Sequence, residues 1–73
     1  VFTLWLEPWG EDYTLLPDET VEVVAKDAKK SFYFHVVNIV EGVQVYAEGT
    51  CGSVSVFHNG KLLERGYNRE VRS

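Results

Sequence analysis

The sequence predicts an all-β domain, an antiparallel β-sandwich or small barrel of six to seven short strands, and three observations carry that expectation. Val, Thr, Phe, Tyr and Trp dominate nearly the whole chain, and these residues fit a pleated, half-buried surface. Turn-forming residues recur at short intervals, around Pro8 and Gly10, at Pro17-Asp18-Glu19, at Glu41-Gly42, from Gly49 to Gly52 and at Asn59-Gly60. The one helix-tolerant stretch, Lys26-Asp27-Ala28-Lys29-Lys30, is too short to stand alone and reads as a loop or a single turn. Short strands without helices bury their apolar faces by packing sheet on sheet or by closing on themselves.

The first strand is Phe2–Glu7, with Phe2, Leu4 and Leu6 alternating against Thr3, Trp5 and Glu7. It stops at Glu7-Pro8-Trp9-Gly10, because Pro8 lacks the ladder donor and Gly10 tolerates a positive φ. A short segment over residues 13–16 then meets Pro17-Asp18-Glu19, expected as a type I turn with proline at its second position. Residues 20–25 form a third strand, with Val21, Val23 and Ala25 on one face. Residues 31–40 and 43–48 read as a hairpin closed by Glu41-Gly42, the glycine supplying the positive φ. This register sets Val40 against Val43, Asn38 against Val45, Val36 against Ala47 and His35 against Glu48. The strongest local signal is Asn59-Gly60 between Ser53–His58 and residues 61–65, which calls for a type I′ hairpin with His58 facing Lys61 and Val56 facing Leu63. Residues 1–67 are expected to form a single β-domain, and residues 68–73 a frayed polar C-terminal tail.

Composition bounds the function. At 73 residues, 45% hydrophobic and 14% aromatic, the chain is one small folded domain with a modest core. It starts at Val1 and contains no methionine, as expected of a processed or excised piece. No run of about 18 apolar residues and no basic leader is present, so neither a membrane span nor a signal segment is expected. A net charge of −4 argues against nucleic acid and anionic membrane as partners. The charges are segregated, −5 over residues 1–20 and +2 over residues 61–73, which suits solvated ends or complementary contact between subunits. A single cysteine, Cys51, excludes an internal disulfide and makes a reducing, cytoplasmic setting the simplest expectation.

Strand alternation shows where the chemistry lies. In the 31–48 hairpin one face carries Phe32, Phe34, Val36, Val40, Val43 and Val45, a core set interrupted by Asn38. The other carries Tyr33, His35, Val37, Ile39, Gln44, Tyr46 and Glu48, joined by Trp5 from the first strand. A solvated face should be mostly polar, and this one is half aromatic and aliphatic. It is expected to pack under a loop or tail of its own chain, to form a homo-oligomer interface, or to bind a ligand. Trp5, Tyr33, His35, Val37, Ile39 and Tyr46 are therefore the candidate contact residues.

Catalytic readings are weaker. His35 opposite Glu48 would be a proton-transfer pair or an ordinary cross-strand polar pair. His58 flanks a turn, and Cys51 has no local histidine to stabilise a thiolate. The two histidines and one cysteine lie in separate segments without metal-ligand spacing, so no metal and no cofactor is expected. Glu7, Glu11 and Asp12 surround Trp9, a combination known from glycoside cleavage but equally from acidic turns, and no D-x-D-x-D-G calcium loop occurs. A carbohydrate or peptide ligand would use the aromatics around Trp9 and Tyr46, with Tyr13 and Asp12 nearby.

The motif Leu6-Glu7-Pro8-Trp9-Gly10, followed by Tyr13, Leu15, Pro17 and Val23-Val24-Ala25, resembles a family of small, uncharacterised bacterial all-β proteins with a Glu-Pro-Trp-Gly turn. Val45-Tyr46 and the Asn59-Gly60 hairpin with Leu62 also fit, although Asp18 stands where a glycine often follows the proline. The resemblance implies a compact cytoplasmic β-domain and carries over no catalytic residue. Together these readings lead to a non-enzymatic interaction module that self-associates, or alternatively takes a protein, peptide or glycan ligand.

Overall fold

A computed structural model describes residues 2–69 of the chain. Seven strands are present: β1 (Phe2–Glu7), β2 (Glu11–Leu15), β3 (Glu22–Lys26), β4 (Tyr33–Ile39), β5 (Gly42–Glu48), β6 (Ser53–His58) and β7 (Lys61–Leu63). They form two sheets, one ordered β2-β1-β5-β4 and the other β3-β6-β7. The arrangement is a sandwich and not a closed barrel. One feature departs from the all-antiparallel expectation: β1 and β5 run parallel, from Thr3 opposite Gly42 to Glu7 opposite Tyr46. Parallel neighbours need a long crossover, and the excursion through β2, β3 and β4 supplies it.

Leu4 and Leu6 of β1 meet Tyr13 of β2, Val45 of β5, Val56 of β6 and Leu63 of β7 in the core. Val21, Val23, Phe34, Val43, Val54 and Tyr67 pack around them. Leu6 is 0% exposed, and burying a side chain of that size stabilises by about 1.5–3 kcal/mol. The expected core face was too wide. Phe2 is exposed, Val36, on the edge strand β4, is 55% exposed, and Val40, in the hairpin turn, is 90% exposed.

The turns show which local signals held. Asn59 and Gly60 both take positive φ, and β6 pairs with β7 with His58 opposite Lys61 and Val56 opposite Leu63, as expected. Gly10 has φ 70°, its N–H donating to Glu7 Oε1 at 3.1 Å, next to a cis Glu7–Pro8 bond. At Leu16-Pro17-Asp18-Glu19 the Glu19 N–H donates to the Leu16 carbonyl at 3.0 Å, but Asp18 has φ 71°. Proline second and a positive φ third define a type II turn, not type I.

The β4–β5 hairpin is closed by Val40-Glu41, not Glu41-Gly42, and pairs Ile39 with Gly42, Asn38 with Val43, Val36 with Val45 and His35 with Tyr46. The physical reason is tertiary. Gly42 sits against β1, where a Cβ would collide with the Thr3 carbonyl oxygen, so the glycine serves close strand approach. Glu41 instead takes the positive φ, at 57°. The register moves by two residues, so every side chain keeps its face.

Residues 68 and 69 are also not frayed. Asn68 Nδ2 donates to the Thr14 carbonyl at 3.3 Å, and Arg69 reaches Asp12 at 2.8 Å. The rest of the expected tail, residues 70–73, lies outside the described residues.

Candidate functional site

The outer face of the four-stranded sheet is the side opposite Leu4, Leu6, Tyr13 and Val45. It carries Asp12 and Thr14 from β2, Thr3 and Trp5 from β1, Gln44, Tyr46 and Glu48 from β5, and Tyr33, His35, Val37 and Ile39 from β4. Exposure rises across it from one edge to the other. Asp12 and Thr14 are buried, Trp5, Gln44, Tyr46 and Val37 are half-buried, and Tyr33 and Ile39 are 59% and 40% exposed.

The covered end is made by the C-terminal segment. Gly66 N–H donates to the Asp12 carbonyl at 2.6 Å, Thr14 N–H to the Tyr67 carbonyl at 2.8 Å, and Tyr67 bridges Tyr13 in parallel. Arg69 Nη2 then donates to Asp12 Oδ1 at 2.8 Å, and that carboxylate raises the Arg69 pKa further. A buried carboxylate needs such a partner. Glu19 ties the same segment down from the side. Its Oε2 accepts from the Tyr67 hydroxyl at 2.7 Å, and its Oε1 from Leu16 N–H at 2.7 Å and from Asn68 Nδ2 at 3.4 Å. The Tyr67 hydroxyl, with the Leu16 N–H, holds the Glu19 carboxyl below its ordinary value. A segment of the same chain therefore lies along β2, at the far side of the face from Tyr33, His35, Val37 and Ile39.

At the open end, His35 lies against Tyr46, ring centroids 5.9 Å apart and planes tilted by 37°. Glu48 faces Tyr33 instead, so His35 and Glu48 do not stand directly opposite each other, whether as a polar pair or as a proton-transfer pair. Tyr33, His35, Val37, Ile39 and Tyr46 are brought together as expected, while Trp5 sits half-buried nearer the covered side and makes contacts of its own.

The second candidate group is dispersed. Tyr13 lies in the core, its hydroxyl donating to Glu11 Oε1 at 3.0 Å, and burial followed by that bond pushes its pKa up to about 12. Asp12 is buried on the opposite face of the sheet under Arg69. Only Trp9 of the three is open, 51% exposed, lining a cavity of about 250 Å³ with Glu11, Gly52, Ser53 and Val54. Tyr46, on the outer face, does not line that cavity.

Two further hollows have no counterpart in the sequence reading. One of about 440 Å³ lies between Phe2, Leu15, Leu16, Pro17 and Glu19, and the other, of the same size, between His58, Lys61, Leu63, Arg65 and Tyr67. The first lies beside the type II turn, with Leu16 and Phe2 both exposed at it, and the second where the C-terminal segment returns to β2. His58 Nδ1 lies 2.6 Å from the Thr20 carbonyl, a bond that fastens the entry to β3. Cys51 is a half-buried free thiol. Among the described residues no group of three or more His, Cys, Asp and Glu side chains is placed to hold a metal ion, and no helix is long and apolar enough to cross a membrane.

Comparison with known proteins finds no matching family model, no similar curated protein and no similar solved structure. The functional reading rests on geometry alone.

Proposed function

We propose that this domain is a non-enzymatic interaction module that self-associates through the open part of the outer sheet face. The observation that carries the reading is the exposed Tyr33 and Ile39 on β4, with half-buried Val37 and Tyr46 between and beside them, an aromatic and aliphatic surface at the end of the face away from buried Asp12 and Thr14. A small sandwich stabilises itself by burying such a patch in a second protein surface. Tyrosines suit the role, since the ring desolvates readily and the hydroxyl keeps a hydrogen-bond partner.

Sedimentation equilibrium at micromolar concentration tests the proposal. Association should weaken when Tyr33→Lys and Ile39→Lys are combined, and a wild-type chain that stays at 8.3 kDa would overturn it. A ligand-binding role rests on Trp9, which is exposed over its cavity beside Glu11. Its readout is tryptophan fluorescence against glycan and peptide panels, with Trp9→Phe as the control that must abolish any change.

A further inference from the structure

We infer that the partner is a second copy of this chain, added edge to edge and antiparallel along β4, with a two-fold axis at Val36. The inference rests on the self-association proposed above and places its contact at the β4 edge, where the outer clusters of two copies meet side by side instead of being buried face to face. It starts from where the backbone groups of β4 point. Thr3 N–H donates to the Glu41 carbonyl at 3.0 Å, so the odd-numbered residues of β5 turn their N–H and C=O groups toward β1 and the even-numbered ones toward β4. With Ile39 opposite Gly42, the odd-numbered residues of β4 bond to β5. The N–H and C=O groups of Phe34, Val36 and Asn38 therefore point away from the sheet, along an edge that no other strand occupies among the described residues.

The remaining sheet edges are closed or short. Along β2 the outward groups of Asp12 and Thr14 are taken by Gly66 and Tyr67. β3 spans Glu22–Lys26 and carries a charged residue at each end. β7 has three residues and begins at Lys61. β4 has seven residues and contains no Lys, Arg, Asp, Glu or Pro, the residues by which exposed edges are normally guarded.

Centring the pair on Val36 engages all three outward-pointing residues of β4 at once. Phe34 of one meets Asn38 of the other and Val36 meets Val36, and each of these pairs exchanges both backbone hydrogen bonds. On the outer face Tyr33 falls opposite Ile39 and His35 opposite Val37, joining the two open clusters into one. On the inner face the two exposed Val36 side chains cover each other. β4 itself carries no Lys, Arg, Asp or Glu, so no like charges oppose each other along the paired strands.

The test uses the full chain. Val36→Lys places two ammonium groups on the axis and should weaken association by roughly tenfold or more, since like charges directly opposite each other oppose pairing. Far-UV circular dichroism checks that its strands remain, which the exposure of Val36 favours. Independently, Val36→Cys with Cys51→Ser leaves one thiol per chain, and the axis sets the two about 5.5 Å apart at Cα, inside the disulfide range. Mild oxidation should yield a covalent dimer, whereas Glu22→Cys with Cys51→Ser should not. If wild type associates but Val36→Lys leaves its constant unchanged and position 36 fails to cross-link, edge pairing is overturned while association through another surface survives. A wild-type monomer overturns both.

Discussion

The Thr14 side chain is fully buried, and its hydroxyl has no hydrogen-bond partner among the described residues. An unsatisfied buried hydroxyl costs about 1–3 kcal/mol, so Thr14→Val, which keeps the shape and β-branching, should raise stability by about 1 kcal/mol. Chemical denaturation measures it, and a loss of similar size would show that the hydroxyl has a partner. Glu19 gives a pH-dependent expectation. Its pKa is lowered in the fold, so its contribution is full above the ordinary value near 4.5 and is lost as pH falls through the lower folded value. Glu19→Gln should therefore melt below wild type at pH 7 and close on it as pH drops below about 4.5. A melting difference that stays constant across that window would contradict the assignment. Asp18 and Glu41 show why residue-level reading falters at turns. Both hold positive φ without being glycine; Asp tolerates that region better than most residues, but Glu gives no such signal.

The two hairpins divide according to what fixes their turns. Asn59-Gly60 was legible because the turn geometry is local, two consecutive positive φ values matched by the two residue types that tolerate them. Glu41-Gly42 was not, because Gly42 answers to Thr3, a strand neighbour 39 positions earlier in the chain. Gly42→Ala should consequently destabilise by about 1–3 kcal/mol through a backbone collision that side-chain repacking cannot relieve. A neutral effect in urea titration would mean that β1 and β5 separate easily. The parallel β1–β5 pairing and the docking of residues 66–69 on β2 were hidden for the same reason. Periodicity reports which face a residue lies on, and it carries no signal about which distant strand lies alongside. That is why the candidate face was legible almost whole while its covered part was not. Asp12 reads in the sequence as a ligand-site carboxylate near Trp9, and in the fold Arg69, 57 positions away, occupies it.

Across the whole molecule, the chain covers one flank of its larger sheet with its own C-terminal segment and leaves the other flank open. The segregated charges of the sequence take part in this. Asp12 from the acidic first segment and Arg69 from the basic last one meet on β2, within one chain. The aromatic excess divides in the same way, with Tyr13 and Tyr67 in and around the core and Tyr33 standing exposed on β4. What remains unaccounted for by the monomer is the β4 edge and the outer cluster beside it. Sedimentation equilibrium of the intact chain over micromolar concentrations addresses that remainder most directly. Pairing along β4 gives a mass that climbs with concentration from 8.3 kDa toward twice that value, and a constant 8.3 kDa at every concentration would refute it.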